Sequence, residues 1–109
     1  MTVGVLAEKL ALTPVAVCEP AREIDGVYIG DLLSWVMGRA QSGNVWITIM
    51  SNINIVAVAS LADTSCIILA EGVDVDSAVC DTAKNKGINI YKSEKSAYTL
   101  ATEIYSLTK

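Results

Sequence analysis

The side chain that most often serves as general base or metal ligand is missing, because this chain of 109 residues contains no histidine. No serine or cysteine has a visible basic partner to make it a nucleophile. The carboxylates divide into helix starts (Asp31, Asp74, Asp76), turns (Asp25, Asp63, Glu71) and exposed helix faces (Glu8, Asp81, Glu94, Glu103), and each position has an ordinary structural use. Asp74 and Asp76 could touch a cation, but two carboxylates without further oxygen ligands do not make a metal site. Neither a GxGxxG run nor a phosphate-loop sequence occurs. These absences weigh against an enzyme, and no metal or cofactor is expected.

One polar group survives this sorting. Ser51, Asn52 and Asn54 fall between a strand and the start of an apolar helix, where free backbone N–H groups and the helix dipole can receive an anion or a polar small ligand. The alternative is plain capping, in which one of the three accepts the first N–H bonds of the helix and nothing else binds. Capping accounts readily for one polar residue there but not for all three.

The elements that must position this turn are legible in the stretch from Val45 to Gly72, which carries no charge until Asp63. Val45 to Ile49 has the β-branched and aromatic content of a strand, and Met50-Ser51-Asn52 breaks it. Asn54 to Ala62 reads as a helix that is apolar nearly all round, and Ser65 to Ala70 resumes as a buried strand. Two apolar strands joined by a helix fit a parallel crossover with both faces covered.

The flanking chain extends the same alternation. Thr2 caps a short helix carrying Val3, Leu6 and Leu10 on one side, and Pro14 ends that segment. Val15 to Cys18 reads as a strand, Glu19 to Glu23 as a polar loop, and Ile24 to Ile29 as a second strand with Gly26 as a bulge. Asp31 is the expected N-cap of a helix whose core stripe is Leu32, Leu33, Val36, Met37 and Ala40. Trp35 falls off that stripe, so either another loop of the chain covers it or a partner does. Asp76 caps a helix running to Lys86, with Val75 and Cys80 at the spacing of a hydrophobic staple and Gly87 as the left-handed stop. Ile88 to Tyr91 is the last strand, and Ser93 is expected to cap a final helix with Ala97, Leu100, Ala101, Ile104 and Leu107 inside. The succession predicts a single α/β domain over residues 1–109, a three-layer α/β/α arrangement around a small, mostly parallel sheet.

Composition bounds the partners. The chain is 52% hydrophobic and 18% charged, which suggests more apolar surface than its own core absorbs and makes a homodimer the simplest expectation. A net charge of -4 argues against nucleic acid, since the basic cluster Lys84, Lys86, Lys92 and Lys95 stands among acidic residues. About 23 uncharged residues run from Ala40 to Ala62, near the length of a membrane span, but Gln41, Gly43, Asn44, Ser51, Asn52 and Asn54 interrupt them and exclude a transmembrane helix. Cys18, Cys66 and Cys80 form no CxxC pair and read as small core hydrophobes. Their odd number, with Glu8 and Lys9 where a signal peptide would need an unbroken apolar run, points to the cytoplasm.

From roughly Thr2 to Tyr105 the chain resembles the DRTGG domain family, a small α/β module similar in fold to the N-terminal domain of HPr kinase/phosphorylase. The resemblance rests on Gly30-Asp31-Leu32-Leu33 after a strand, on Asn54 to Ala59 before Cys66 to Gly72, and on Ala83 to Ile88 before a last strand and helix. Ser51-Asn52-Ile53-Asn54 stands where the family's Asp-Arg pair would be, and Ala70-Glu71-Gly72 where Thr-Gly-Gly would be, so only Gly72 matches. The family implies a noncatalytic module associated with regulation and dimer formation. Two functional expectations follow. One is a regulatory module with the central helix (Ile55, Val58) or the Trp35 face at a homodimer or protein interface. The other is a sensor of a nucleotide or phosphorylated metabolite, a small anionic ligand, at Ser51, Asn52, Asn54 and Gly72.

Overall fold

A computed structural model describes residues 1–109. Four short strands run parallel: β2 (Val27–Ile29), β3 (Val45–Thr48), β4 (Cys66–Leu69) and β5 (Ile90–Lys92). A fifth, β1 (Thr13–Ala16), lies antiparallel to β5, giving the order β1-β5-β4-β3-β2. The helices are α1 (Val3–Lys9), α2 (Leu33–Arg39), α3 (Asn54–Ala62), α4 (Ser77–Lys86) and α5 (Ala97–Thr108). No helix is long and apolar enough to cross a membrane.

Each of β2 to β5 pairs with the next in sequence, so the three crossovers advance across the sheet in one direction. Right-handed crossovers wound one way put their helices on one face. The core agrees: Trp46, Ile67, Leu69 and Ile90 point to the side of α2, α3 and α4. Val45, Ile47, Cys66, Ile68 and Tyr91 point to the side of α1 and α5. Every residue of β3 and β4 is buried, as a doubly covered parallel sheet requires.

Asn89 joins the antiparallel edge to this parallel sheet. Its side-chain carbonyl accepts the N–H groups of Cys18 (3.0 Å) and Glu19 (2.8 Å), and its amide donates to the carbonyls of Glu19 (2.9 Å) and Ser65 (3.0 Å). Asn89 is buried, as is its bond to Ser65, and the other three bonds are half-buried; an unpaired polar group in such surroundings is costly.

Several local expectations give way to longer-range contacts. β1 begins at Thr13 and contains Pro14, tolerable on an edge strand, with the register shifting between Pro14 and Ala16. Gly26 is not a bulge; it takes a positive φ of 76° just before a shortened β2, and Ile24 instead donates to the Met1 carbonyl. Asp31 is not the N-cap of α2, which starts behind Leu32 with no side-chain cap. Asp31 Oδ1 accepts from the Thr48 hydroxyl (2.8 Å) and the Ile49 N–H (3.0 Å), tying the end of β2 to the end of β3. Within α2 only Val36 is buried; Leu32 and Met37 face out because a seven-residue helix on the last strand offers one inward turn. Ser96, not Ser93, caps α5, because Ser93 is still held to the sheet through its N–H to the Leu69 carbonyl. Leu107 is partly exposed rather than buried. Ile55 and Val58, expected at an interface, are 0% and 5% exposed and belong to the core against the sheet.

Replacing Asn89 with Ala should lower the unfolding free energy by on the order of 3 kcal/mol, because four backbone groups, one buried and three half-buried, lose their partner together. Urea titration checks this, and a loss below about 1 kcal/mol would show that the clamp is not stabilising.

Candidate functional site

The carboxyl ends of the parallel strands are where an α/β sheet offers loops and helix N-termini to a ligand. Here that edge collects Asp31 after β2, Ser51 to Asn54 after β3, Glu71 and Gly72 after β4, and Ser93 to Lys95 after β5. The fold thus brings Ser51, Asn52, Asn54 and Gly72 to one edge, on adjacent strands.

Their chemistry differs from residue to residue. Asn52 Oδ1 accepts the N–H of Asn54 at 2.9 Å in a local Asx turn, while the N-cap position of α3 falls on Ile53 and no side chain caps the helix. The side chains of Ser51 and Asn54 hydrogen-bond to nothing in the chain and stay available beside the first turn of α3. Gly72 is not available. It follows Glu71 in a tight turn in which both have positive φ (62° and 69°), closed by the Val73 N–H to the Ala70 carbonyl at 3.4 Å. The N–H groups of Glu71 and Gly72 already donate to the carbonyls of Lys95 and Ser93, each at 2.9 Å. The Glu94 carboxylate covers the Gly72 Cα so closely that a Cβ there would collide with it. A loop whose amides are engaged and whose glycine lies under a carboxylate is not an anion cradle, which corrects the expectation for Gly72.

Charge at this edge points the same way. Asp31, Glu71, Asp74 and Glu94 face two lysines, and both lysines are engaged, Lys92 with Asp74 at 3.0 Å and Lys95 with Glu103 at 2.9 Å. The loops after β2, β3 and β4 turn to the face of α2, α3 and α4 and the loop after β5 turns to the face of α5, so they part between β4 and β5, where the Glu71 and Gly72 amides bridge the gap to the Lys95 and Ser93 carbonyls. None of the three surface cavities includes Ser51, Asn52, Asn54 or Gly72.

The opposite edge holds a polar cluster that the sequence did not disclose. Arg22 donates to Asp63 Oδ1 (3.2 Å) and to the Asp63 carbonyl (3.0 Å), neutralising the carboxyl end of α3. Hydrogen bonds from the Ser42 hydroxyl and then from Arg22 hold the Asp63 carboxyl below the usual carboxylate range. A cavity of about 190 Å³ beside it is lined by Arg22, Asp63, Lys86 and Asn89, together with Thr64, whose buried hydroxyl has no partner in the chain. These residues are separated by up to 67 positions in sequence, and no local spacing announces them.

The Cys66 thiol is a poor nucleophile. Burial pushes the Cys66 thiol up to about 12. Cys18 Sγ donates to the Ile88 carbonyl at 3.5 Å and Cys80 Sγ to the Val15 carbonyl at 3.0 Å. No group of three or more His, Cys, Asp or Glu side chains comes together.

Fold and site together define a small three-layer α/β module. The DRTGG domain model matches residues 18–107, and the chain belongs to that family. It is similar in structure to the CBS and DRTGG domains of the regulatory region of Clostridium perfringens pyrophosphatase, a structure complexed with the activator diadenosine tetraphosphate. That likeness has a TM-score of 0.72 at 14% identity, covering 93% of this chain and 44% of the other, so this chain spans less than half of its relative. At such identity the likeness concerns the fold. No curated protein matches the chain.

The Cys66 thiol has a sign-defined effect on stability. Below pH 9.0, its ordinary value, the thiol is protonated whether the chain is folded or unfolded; between 9.0 and about 12 only the unfolded chain releases the proton. Stability should therefore fall as pH rises through that window, by up to about 1.4 kcal/mol per pH unit, and Cys66→Ala should lack this component. Parallel alkaline losses in denaturation of the two proteins would contradict the assignment.

Proposed function

We propose that the chain is a noncatalytic regulatory module that acts in the cytoplasm as a homodimer, with the outer face of α2 in the interface. The observation that carries this reading is Trp35, 52% exposed on a two-turn helix, with Leu32 beside it 58% exposed. An indole half open to water on an outward helix face leaves a large apolar area for a partner, and such aromatics are enriched where proteins meet. Arg39 stacks its guanidinium 3.8 Å from the Trp35 ring centroid, which restricts the ring before any partner arrives. Of the three interface candidates from sequence, Trp35 alone has the exposure the role requires. The engaged amides and paired lysines of the carboxyl edge fit a module without catalysis.

A second reading, a small-ligand sensor, draws on two observations. Ser51 and Asn54 have unengaged side chains at the N-terminus of α3, and the structural relative carries a dinucleotide activator. In this reading the ligand is anionic and enters beside Asn52.

Light scattering during size exclusion should give twice the mass of one chain at about 100 μM, and Trp35→Ala should weaken association at least about tenfold, as loss of a central aromatic anchor does. A monomer at that concentration overturns the proposal. For the second reading, thermal denaturation with diadenosine tetraphosphate is decisive. A bound ligand at a hundredfold its Kd adds about 2.7 kcal/mol, reduced in Asn52→Ala; no shift removes the sensor and leaves the dimer standing.

A further inference from the structure

We infer that the open edge of β2 is the seam of the homodimer: β2 pairs antiparallel with β2 of a second copy of this chain, joining two five-stranded sheets into one of ten. The inference rests on the homodimer reading and names where its contact lies.

The two edges of the sheet are treated differently. On the β1 side, Pro14 removes a backbone donor and the register shift between Pro14 and Ala16 distorts the strand. Both are devices by which sheets discourage further pairing. The β2 side has neither. Its three residues are Val27, Tyr28 and Ile29, with no proline, lysine or bulge among them. The Gly26 carbonyl accepts from Val45 N–H at 3.0 Å and the Gly30 N–H donates to the Ile47 carbonyl at 3.2 Å, so these groups face β3. By the alternation of a parallel ladder, the N–H and C=O groups of Val27 and Ile29 turn outward. An apolar strand with free donors and acceptors calls for another strand.

Both flanks of that edge are apolar as well. Val27 and Ile29 pair with Val45 and Ile47, which point toward α1 and α5, and they are 37% and 49% exposed on that face. On the other face, Val36 sits down on the sheet, and a right-handed crossover toward β3 turns Leu32, Trp35 and Arg39 to the flank away from α3, above the open edge. Their spacing of three and four makes one stripe. A standard interface takes about 800 Å² from each partner, about a seventh of the 5613 Å² surface here. A three-residue strand cannot supply that, but the strand with its two apolar flanks is laid out to do so.

The surface is also complementary to itself. A two-fold axis through Tyr28 sets Val27 opposite Ile29 of the second copy, the pair whose amides face outward, and brings the two α2 helices side by side and antiparallel. Trp35 then lies near the axis. Arg39, at the carboxyl end of α2, comes level with Asp31 of the second copy. Asp31 uses only Oδ1 within its own chain, which leaves Oδ2 for the guanidinium. Isologous contacts of this kind close at two copies.

Hydrogen exchange on the full chain, followed by NMR above and below the association midpoint, tests the seam. The amides of Val27 and Ile29 should exchange at least about a hundredfold more slowly in the dimer, and Ile29→Lys should give a monomer with an unchanged circular dichroism spectrum. A dimer in which both amides exchange as fast as in the monomer overturns the seam and leaves the homodimer reading intact. A monomer at every concentration overturns both, even if a strand of another protein takes the edge. Exchange in the unmodified chain decides the matter should Ile29→Lys fail to fold.

Discussion

Winding in one direction governs this molecule. Because β2, β3, β4 and β5 are neighbours in sequence order, right-handed crossovers have to stack α2, α3 and α4 on one face, and α1 and α5 are left to cover the other. The same order makes β2 an edge strand and α2 an edge helix. The uncovered apolar edge is thus a consequence of the topology.

What the sequence made legible was what short-range physics decides. The apolar helix was expected at Asn54 to Ala62 and lies there; Thr2 and Asp76 cap the helices assigned to them through side-chain bonds to Val5 and Val79; Gly87 stops α4 with φ 72°. Charge-free runs marked the doubly covered strands because a buried parallel strand has no solvent face to vary. Residues whose role depends on distant partners were misplaced. Asp31 has the local credentials of a cap, yet the Thr48 hydroxyl arrives from the adjacent strand and takes its carboxylate. Ile55 and Val58 looked like surplus apolar area because α3 is apolar nearly all round, and only the position of the sheet reveals which side is inside.

The polar turn shows the same division. Ser51, Asn52 and Asn54 were recognisable as a strand-to-helix junction, and Asn52 bonds within it to the Asn54 N–H, with Ile53 at the N-cap position. That Gly72 lies beneath Glu94 and donates to Ser93 could not be read from its neighbours in sequence, since both partners come from the loop after β5. With Lys92 and Lys95 already paired, an anion reaching this edge would meet carboxylates first. Trp35 was visible in sequence because a helical stripe identifies what falls off it. The open edge beneath it was not visible, since an edge strand and an inner strand of three residues have the same composition.

The proposed function is association along one side of the sheet. Isotope-filtered NMR on a mixture of labelled and unlabelled chains measures this directly, because it records only contacts between copies. The account predicts intermolecular cross-peaks between Val27 and Ile29, and between the indoles of Trp35. Intermolecular cross-peaks confined to other faces, or none at concentrations where the chain is saturated with itself, would contradict it.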